Sequence, residues 1–196
     1  FDGLFGPIPS DSNEPMIDSL IALGYRDVSL SGTLRLAIDE KAKMFKTETL
    51  LTGENMGTVG ATANLVNVPV DLLMRNPSAA LIAFAGARIK DLSVTIENRG
   101  LADRLIDQDA IKTKRSPQEV RKNYAAAASA SLQIYLGMSP NAKALTQSLA
   151  KFIDKPARLS ITAKSKNPDG VALAEGATAE SPAQVLEAFD LMISQN

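Results

Sequence analysis

The sequence predicts an α+β domain, an antiparallel sheet of five to six strands with helices packed mainly on one face. Three observations predict it. From Val28 to Ile38, the residues Val28, Leu30, Leu34, Leu36 and Ile38 alternate with Ser29, Ser31, Thr33 and Arg35. A side-chain period of two puts one face of such a strand in a core and the other in water. Two more strand-like runs follow before Val68, which reads as a β-meander, a sheet type that can leave one face wet. After Val68 the apolar period changes to that of helices. The dry face of the meander then needs a cover: the chain's own helices, a partner or a greasy ligand.

The elements follow in order. Residues 1–11 are rich in Gly and Pro and read as irregular or at best strand-like. Ser12 to Leu23 reads as a short helix, capped by Asp11 or Ser12, striped by Ile17, Leu20 and Ile21, and closed at Gly24. The meander has strands at about Asp27–Asp39, Lys43–Thr52 and Met56–Val68, with turns at Asp39–Ala42 and Gly53–Asn55. Gly57 and Gly60 in the third strand mark a bulge or a close backbone approach. Val70–Arg75 and Asn76–Ala85 read as helical, and Arg88–Glu97 returns to strand with Leu92, Val94 and Ile96 on one face.

Three helices come next, at Gly100–Lys112, from Ser116 to Leu136, and from Ser139 to Ile153. The second opens on Ser116-Pro117-Gln118-Glu119, a capping box with proline at its first position. Ala157–Ala163 is a strand, Ser181-Pro182 starts a last helix, and Leu191–Ser194 is a last strand. A polar residue followed by Pro starts a helix four times, at Asn76, Ser116, Ser139 and Ser181, at unequal intervals that exclude a solenoid. No linker divides the chain. Residues 1–196 read as one domain: an N-terminal segment and short helix (1–24), the meander (25–68), a mainly helical part with one strand (69–156), and a strand–helix–strand end (157–196).

Composition removes many chemistries. The 196 residues are 45% hydrophobic and 22% charged, with a net charge of -1. That balance supplies no general pull toward nucleic acid or an anionic membrane. With 3 Tyr, 6 Phe and no Trp, a base-stacking platform is not expected. The chain has no Cys and no His. Disulfides, thiolate nucleophiles, zinc–thiolate sites and a Ser-His-Asp triad are therefore impossible within it. P-loop, G-x-G-x-x-G and G-x-S-x-G motifs are missing too, so neither a cofactor nor a metal site is expected. The longest apolar run, Ala79 to Ala87, falls well short of the ~20 residues that cross a bilayer. The first residue is Phe1 rather than Met, as in a fragment or a processed form.

Several constellations are candidate sites. Lys112, Lys114, Arg115, Arg121 and Lys122 form a basic cluster beside the helix start at Ser116. Free N–H groups at a helix N-terminus favour an anion, so the cluster suits a lipid phosphate or an acidic partner; a solvated helix junction is the alternative. Asp103, Asp107 and Asp109 concentrate acid on the preceding helix, and Asp103 and Asp107 share a face. A solvated face is favoured there over a cation site or an acid–base pair. The long helix is slim at Ala125–Ala128 and Ala130 and carries Tyr124, Leu132, Tyr135 and Leu136. It reads as a core helix, with Tyr124, Leu132 and Tyr135 as a candidate cavity wall. Ser160 with Lys164, and Ser139 with Lys143, are the spacings that leave Ser–Lys chemistry open.

The strands Leu34–Asp39, Leu50–Gly57 and the run ending Asn64-Leu65-Val66-Asn67, with the end from Phe152-Ile153-Asp154-Lys155-Pro156 through Asn167-Pro168, resemble uncharacterised proteobacterial envelope proteins, loosely AsmA-like and lipid-handling. The resemblance covers about residues 25–196. It implies a large curved sheet and a periplasmic or otherwise secreted location, and it supplies no catalytic residue. The expected function is a non-catalytic envelope domain that binds a hydrophobic or lipid-like ligand between sheet and helices. The alternatives are an interaction or scaffold module using the helical or basic surface and, more remotely, a hydrolase using carboxylates or Ser–Lys.

Overall fold

The structure, a computed structural model, describes residues 4–7, 15–69, 71, 84–174, 179 and 181–196. Its elements run β1 (Leu4–Pro7), α1 (Pro15–Ala22), β2 (Asp27–Asp39), β3 (Met44–Gly53), β4 (Gly57–Val66), β5 (Arg88–Asn98), α2 (Leu101–Thr113), α3 (Pro117–Leu136), α4 (Pro140–Asp154), β6 (Arg158–Ser165), β7 (Val171–Ala172), α5 (Pro182–Glu187) and β8 (Phe189–Gln195). The fold is α+β. The strands form one antiparallel sheet in the order β1-β2-β3-β4-β5-β6-β8, with the two-residue β7 paired beside the start of β5. The six expected strands are all present; β1 and β7 extend the sheet. The helices expected over Val70–Arg75 and Asn76–Ala85 lie almost wholly outside the described residues.

Local chemistry sets the turns. At the β2–β3 turn the Asp39 carboxylate accepts from the Ala42 N–H at 3.0 Å, and Lys43 takes a left-handed φ of 49°. At the β3–β4 turn Asn55 takes φ 56°. Gly57 follows with φ 148°, and a Cβ there would run into the Glu97 carbonyl oxygen on the neighbouring strand. Close backbone approach is thus the role of Gly57. The bulge sits elsewhere, where Asn64 pairs with Asp91 and Leu65 with Ile89, leaving Lys90 unopposed. It lets Ile89 and Leu92 face the same side.

Directly opposed residues share a face, so the register sorts the whole sheet. One face carries Leu30, Leu34, Leu36 and Ile38 of β2, Phe45 and Leu51 of β3, Val59 and Leu65 of β4, Val94 and Ile96 of β5, Leu159 and Ile161 of β6, and Leu191 and Ile193 of β8. The other is polar. On it Thr62 and Ser93 hydroxyls bond at 2.8 Å, those of Thr95 and Ser160 at 3.0 Å, and Asn64 Nδ2 donates to Asp91 Oδ1 at 2.6 Å.

The helical excursion α2–α4 stands where a hairpin between β5 and β6 would be, since Glu97 pairs with Arg158 at its base. Its broadest contact with the sheet is that of α4, which packs on β6 and β8, while α3 rides on α4 and α5 as an outer layer. Leu159 and Phe189 are buried where strands and helices meet. A second cluster of Leu65, Val68 and Ala87 packs with Phe45 and Phe84, whose rings meet edge-to-face at 5.8 Å. The cover of the apolar face is incomplete: Leu34 is 64%, Leu36 59%, Leu51 52% and Val59 45% exposed.

Candidate functional site

The apolar face ends in a groove beside α2. The sheet contributes Leu30, Leu51, Val59 and Ile96, and the helices contribute Leu101, Leu105 and Phe152. Met56 closes one side. The groove has a volume of about 380 Å³, within the range of small-molecule sites, and its lining is almost entirely apolar.

Polar anchors, one of them in the groove's own lining, fix its helical wall. Asn98 is the chief one. Its Oδ1 accepts from the Gly100 N–H at 3.2 Å and the Ala102 N–H at 2.9 Å, which caps α2. Its Nδ2 donates to Asp103 Oδ2 at 2.8 Å and to the Pro156 carbonyl at 3.1 Å, so one side chain ties the departing chain to the returning one. The Met56 carbonyl accepts from the N–H groups of Arg99 at 3.0 Å and Leu101 at 3.2 Å, joining the β3–β4 turn to the same helix start. From the far side, Arg104 stacks 4.5 Å over the Tyr25 ring and donates to the Leu23 carbonyl at 3.0 Å. The Tyr25 hydroxyl donates to the Asn55 carbonyl at 2.9 Å. Burial pushes the Tyr25 phenol up from its ordinary pKa, opposed by the Arg104 charge. Tyr25 therefore stays a neutral donor at any physiological pH.

The basic cluster does not gather around one point. Lys112, Lys114, Arg115 and Lys122 are exposed, but Arg121 turns inward. Its Nη2 pairs with Asp103 Oδ1 at 2.5 Å, and its Nη1 donates to the Ile153 carbonyl at 3.5 Å. The start of α3 is already satisfied. Ser116 Oγ accepts from the Glu119 N–H at 3.3 Å, and Glu119 Oε2 accepts from the Ser116 N–H at 2.8 Å and its hydroxyl at 2.7 Å. These bonds, with Arg115 and Lys122 nearby, hold the Glu119 carboxyl below its usual range. Glu119 thus occupies the place an external anion would take.

The acids and the serine–lysine spacings are also placed. Asp103 belongs to the Asn98–Arg121 junction, and Asp107 is exposed. Ser139 caps α4 through the Ala142 N–H at 3.2 Å and donates to Glu187 Oε1 at 2.6 Å. Ser160 and Lys164 lie on strand β6, where a four-residue separation is roughly 13 Å, and Ser160 is bonded to Thr95. The candidate cavity wall of Tyr124, Leu132 and Tyr135 is not part of the groove. Tyr124 is 49% and Tyr135 70% exposed because α3 is the outer layer, and Leu132 is half-buried. Among the described residues no group of three or more His, Cys, Asp or Glu could hold a metal ion, and no helix is long and apolar enough to cross a membrane.

Residues 50–196 match the model of a protein family described as "Uncharacterized protein". The chain belongs to that family. The matched part runs from the middle of β3 to the last residue and contains α2, α4 and most of the groove. Leu30 lies outside it. No curated protein and no solved structure matches the chain.

Proposed function

We propose that this chain is a non-catalytic domain of the cell envelope that holds a hydrophobic, lipid-like ligand in the groove between the apolar sheet face and α2. The observation that carries the reading is the lining. Leu30, Leu51, Val59, Ile96, Leu101, Leu105 and Phe152 converge from both layers on about 380 Å³ of open space. Leaving that surface in water costs roughly 25 cal/mol per Å², and an acyl chain removes it without needing any polar partner. The site offers shape and apolarity rather than a nucleophile or a base.

Titration with a fluorescent fatty acid tests this. Saturable binding near one equivalent is the expected result. Leu105 and Leu51 are 48% and 52% exposed, so Leu105→Asp and Leu51→Asp place a charge in the groove without emptying a buried site. Each should weaken binding at least tenfold at unchanged melting temperature. Absent binding, or binding indifferent to both substitutions, refutes the reading.

A second reading has its own observation. At the far end of α3, Ile134, Tyr135 and Met138 are 81%, 70% and 60% exposed. Such a cluster suits a protein partner on the helical surface. Tyr135→Ser with Ile134→Ser would then abolish partner capture and leave fatty-acid binding untouched.

A further inference from the structure

A second apolar cavity opens on the same face of the sheet as the groove. The sheet contributes Leu92, Ala163 and Phe189, and the helices contribute Leu136 at the end of α3 with Val185 and Leu186 of α5. Its volume is about 410 Å³ and its lining is mostly apolar. Residues two apart on a strand share a face. Along β5, Ile96 lines the groove, Leu92 lines the second cavity, and Val94 stands between them. Val94 is 38% exposed, so the strip of sheet that joins the two spaces is not sealed. It is flanked by Ala61 and Ala63 of β4 and by Ile161 and Ala163 of β6. None of these side chains is polar, and the three alanines leave height above the sheet. Helix α4 reaches the same two spaces. Its first turn is tied beside the second cavity, where Asn141 Nδ2 donates to the Leu186 carbonyl at 3.0 Å and to the Phe189 carbonyl at 2.8 Å. Phe152, near its other end, lines the groove. Asn141 and Phe152 lie about 16 Å apart along the helix axis, and Ile96 and Leu92 roughly 13 Å apart along β5. The two spacings agree.

We propose that the groove and the second cavity are the two ends of one trough, and that its ligand is a single long apolar chain laid along β5 from Ile96 over Val94 to Leu92. The proposal rests on the reading of the groove as a hydrophobic-ligand site and adds the length of what it holds. A chain that ends at Ile96 leaves Val94 and the second cavity in water. A longer one also removes Val94, Leu92 and Leu136 from water, and each methylene it buries strengthens binding roughly fourfold.

Displacement of the fluorescent fatty acid by decanoate and by stearate tests the proposal. Stearate should bind the wild-type chain roughly a hundredfold more tightly than decanoate, or better. Val185→Asp places a charge in the second cavity, and Val94→Asp places one on the exposed strip between the two spaces. Each should weaken stearate at least tenfold and leave decanoate within about twofold of wild type. Leu105→Asp, in the groove itself, should weaken both acids. Circular dichroism and melting temperature confirm that each variant is folded, and the exposed Val94 site keeps the test intact if Val185→Asp does not fold. Stearate binding that is indifferent to a folded Val94→Asp or Val185→Asp variant, yet lost in Leu105→Asp, overturns the trough and leaves the groove reading standing. Equal loss of decanoate and stearate in those variants overturns the trough as well. Failure of both acids to bind the wild type overturns the groove reading, and the trough with it.

Discussion

Arg121 and Asp103 meet at 2.5 Å across the α2–α3 junction, with the Arg121 side chain only 17% exposed and that of Asp103 49% exposed. The pair matters for the groove because Asp103 also receives Asn98, and Asn98 caps the helix that forms the groove wall. Removing the acid strands a mostly buried guanidinium. Asp103→Ala should therefore cost roughly 1–3 kcal/mol of unfolding free energy. Asp107→Ala, one turn along at an exposed position, should change it by less than about 0.5 kcal/mol. Urea denaturation of the two variants makes the comparison.

Asn98 is the joint on which the helical excursion turns. Its side chain makes two donor and two acceptor bonds to Asp103, Pro156, Gly100 and Ala102. No other side chain can meet all four, because none presents an acceptor and a two-proton donor at that reach. Asn98→Ala should lose about 2–4 kcal/mol, with the partners left unsatisfied. Fatty-acid affinity should fall in the same variant, since α2 is then untied at its start.

Glu119 supplies a pH dependence of known sign. Its carboxyl is held below the usual value of 4.5, first by the Ser116 backbone N–H and then by the Ser116 hydroxyl. A depressed folded-state pKa gives stability that is complete above the unfolded value and is lost as pH falls through the folded one. Melting temperature should therefore decline from about pH 4.5 downward. Glu119→Gln should shed that part of the decline and show a flatter profile below pH 4.5. Equal slopes for wild type and variant would count against the capping role.

Thr146 on α4 is 4% exposed, and its hydroxyl has no hydrogen-bond partner among the described residues. A buried hydroxyl without a partner forfeits its hydration. Thr146→Val keeps the shape and removes that penalty. The variant should be more stable by about 1 kcal/mol, read by thermal or urea denaturation.

The sheet was legible from the sequence because period two survives burial on one face only. Each of the six expected strands appears within a few residues, and the capping box at Ser116 placed the start of α3 correctly. The groove was not legible. Leu51, Leu101 and Phe152 belong to separate elements, and only the successive pairing of β3 with β4, β4 with β5 and β5 with β6 brings them together. The same limit explains Arg121. Next to Lys122 it reads as one more free charge, while its partner Asp103 stands 18 residues away on another helix. Tyr124 and Tyr135 misled in the opposite direction. Aromatics on an alanine-rich helix suggest a packed wall, but α4 had already taken the place against the sheet. Two signals for the site were present: the capping pattern Asn98-x-Gly100 at the end of a strand, and Leu101 with Leu105 one helical turn apart.

Native mass spectrometry of the purified chain, followed by solvent extraction and mass spectrometry of the extract, shows whether the groove carries a ligand. A co-purifying hydrophobic molecule near one equivalent per chain, lost in Leu105→Asp, is the expected result. A consistently ligand-free chain, or a ligand retained undiminished in Leu105→Asp, would contradict it.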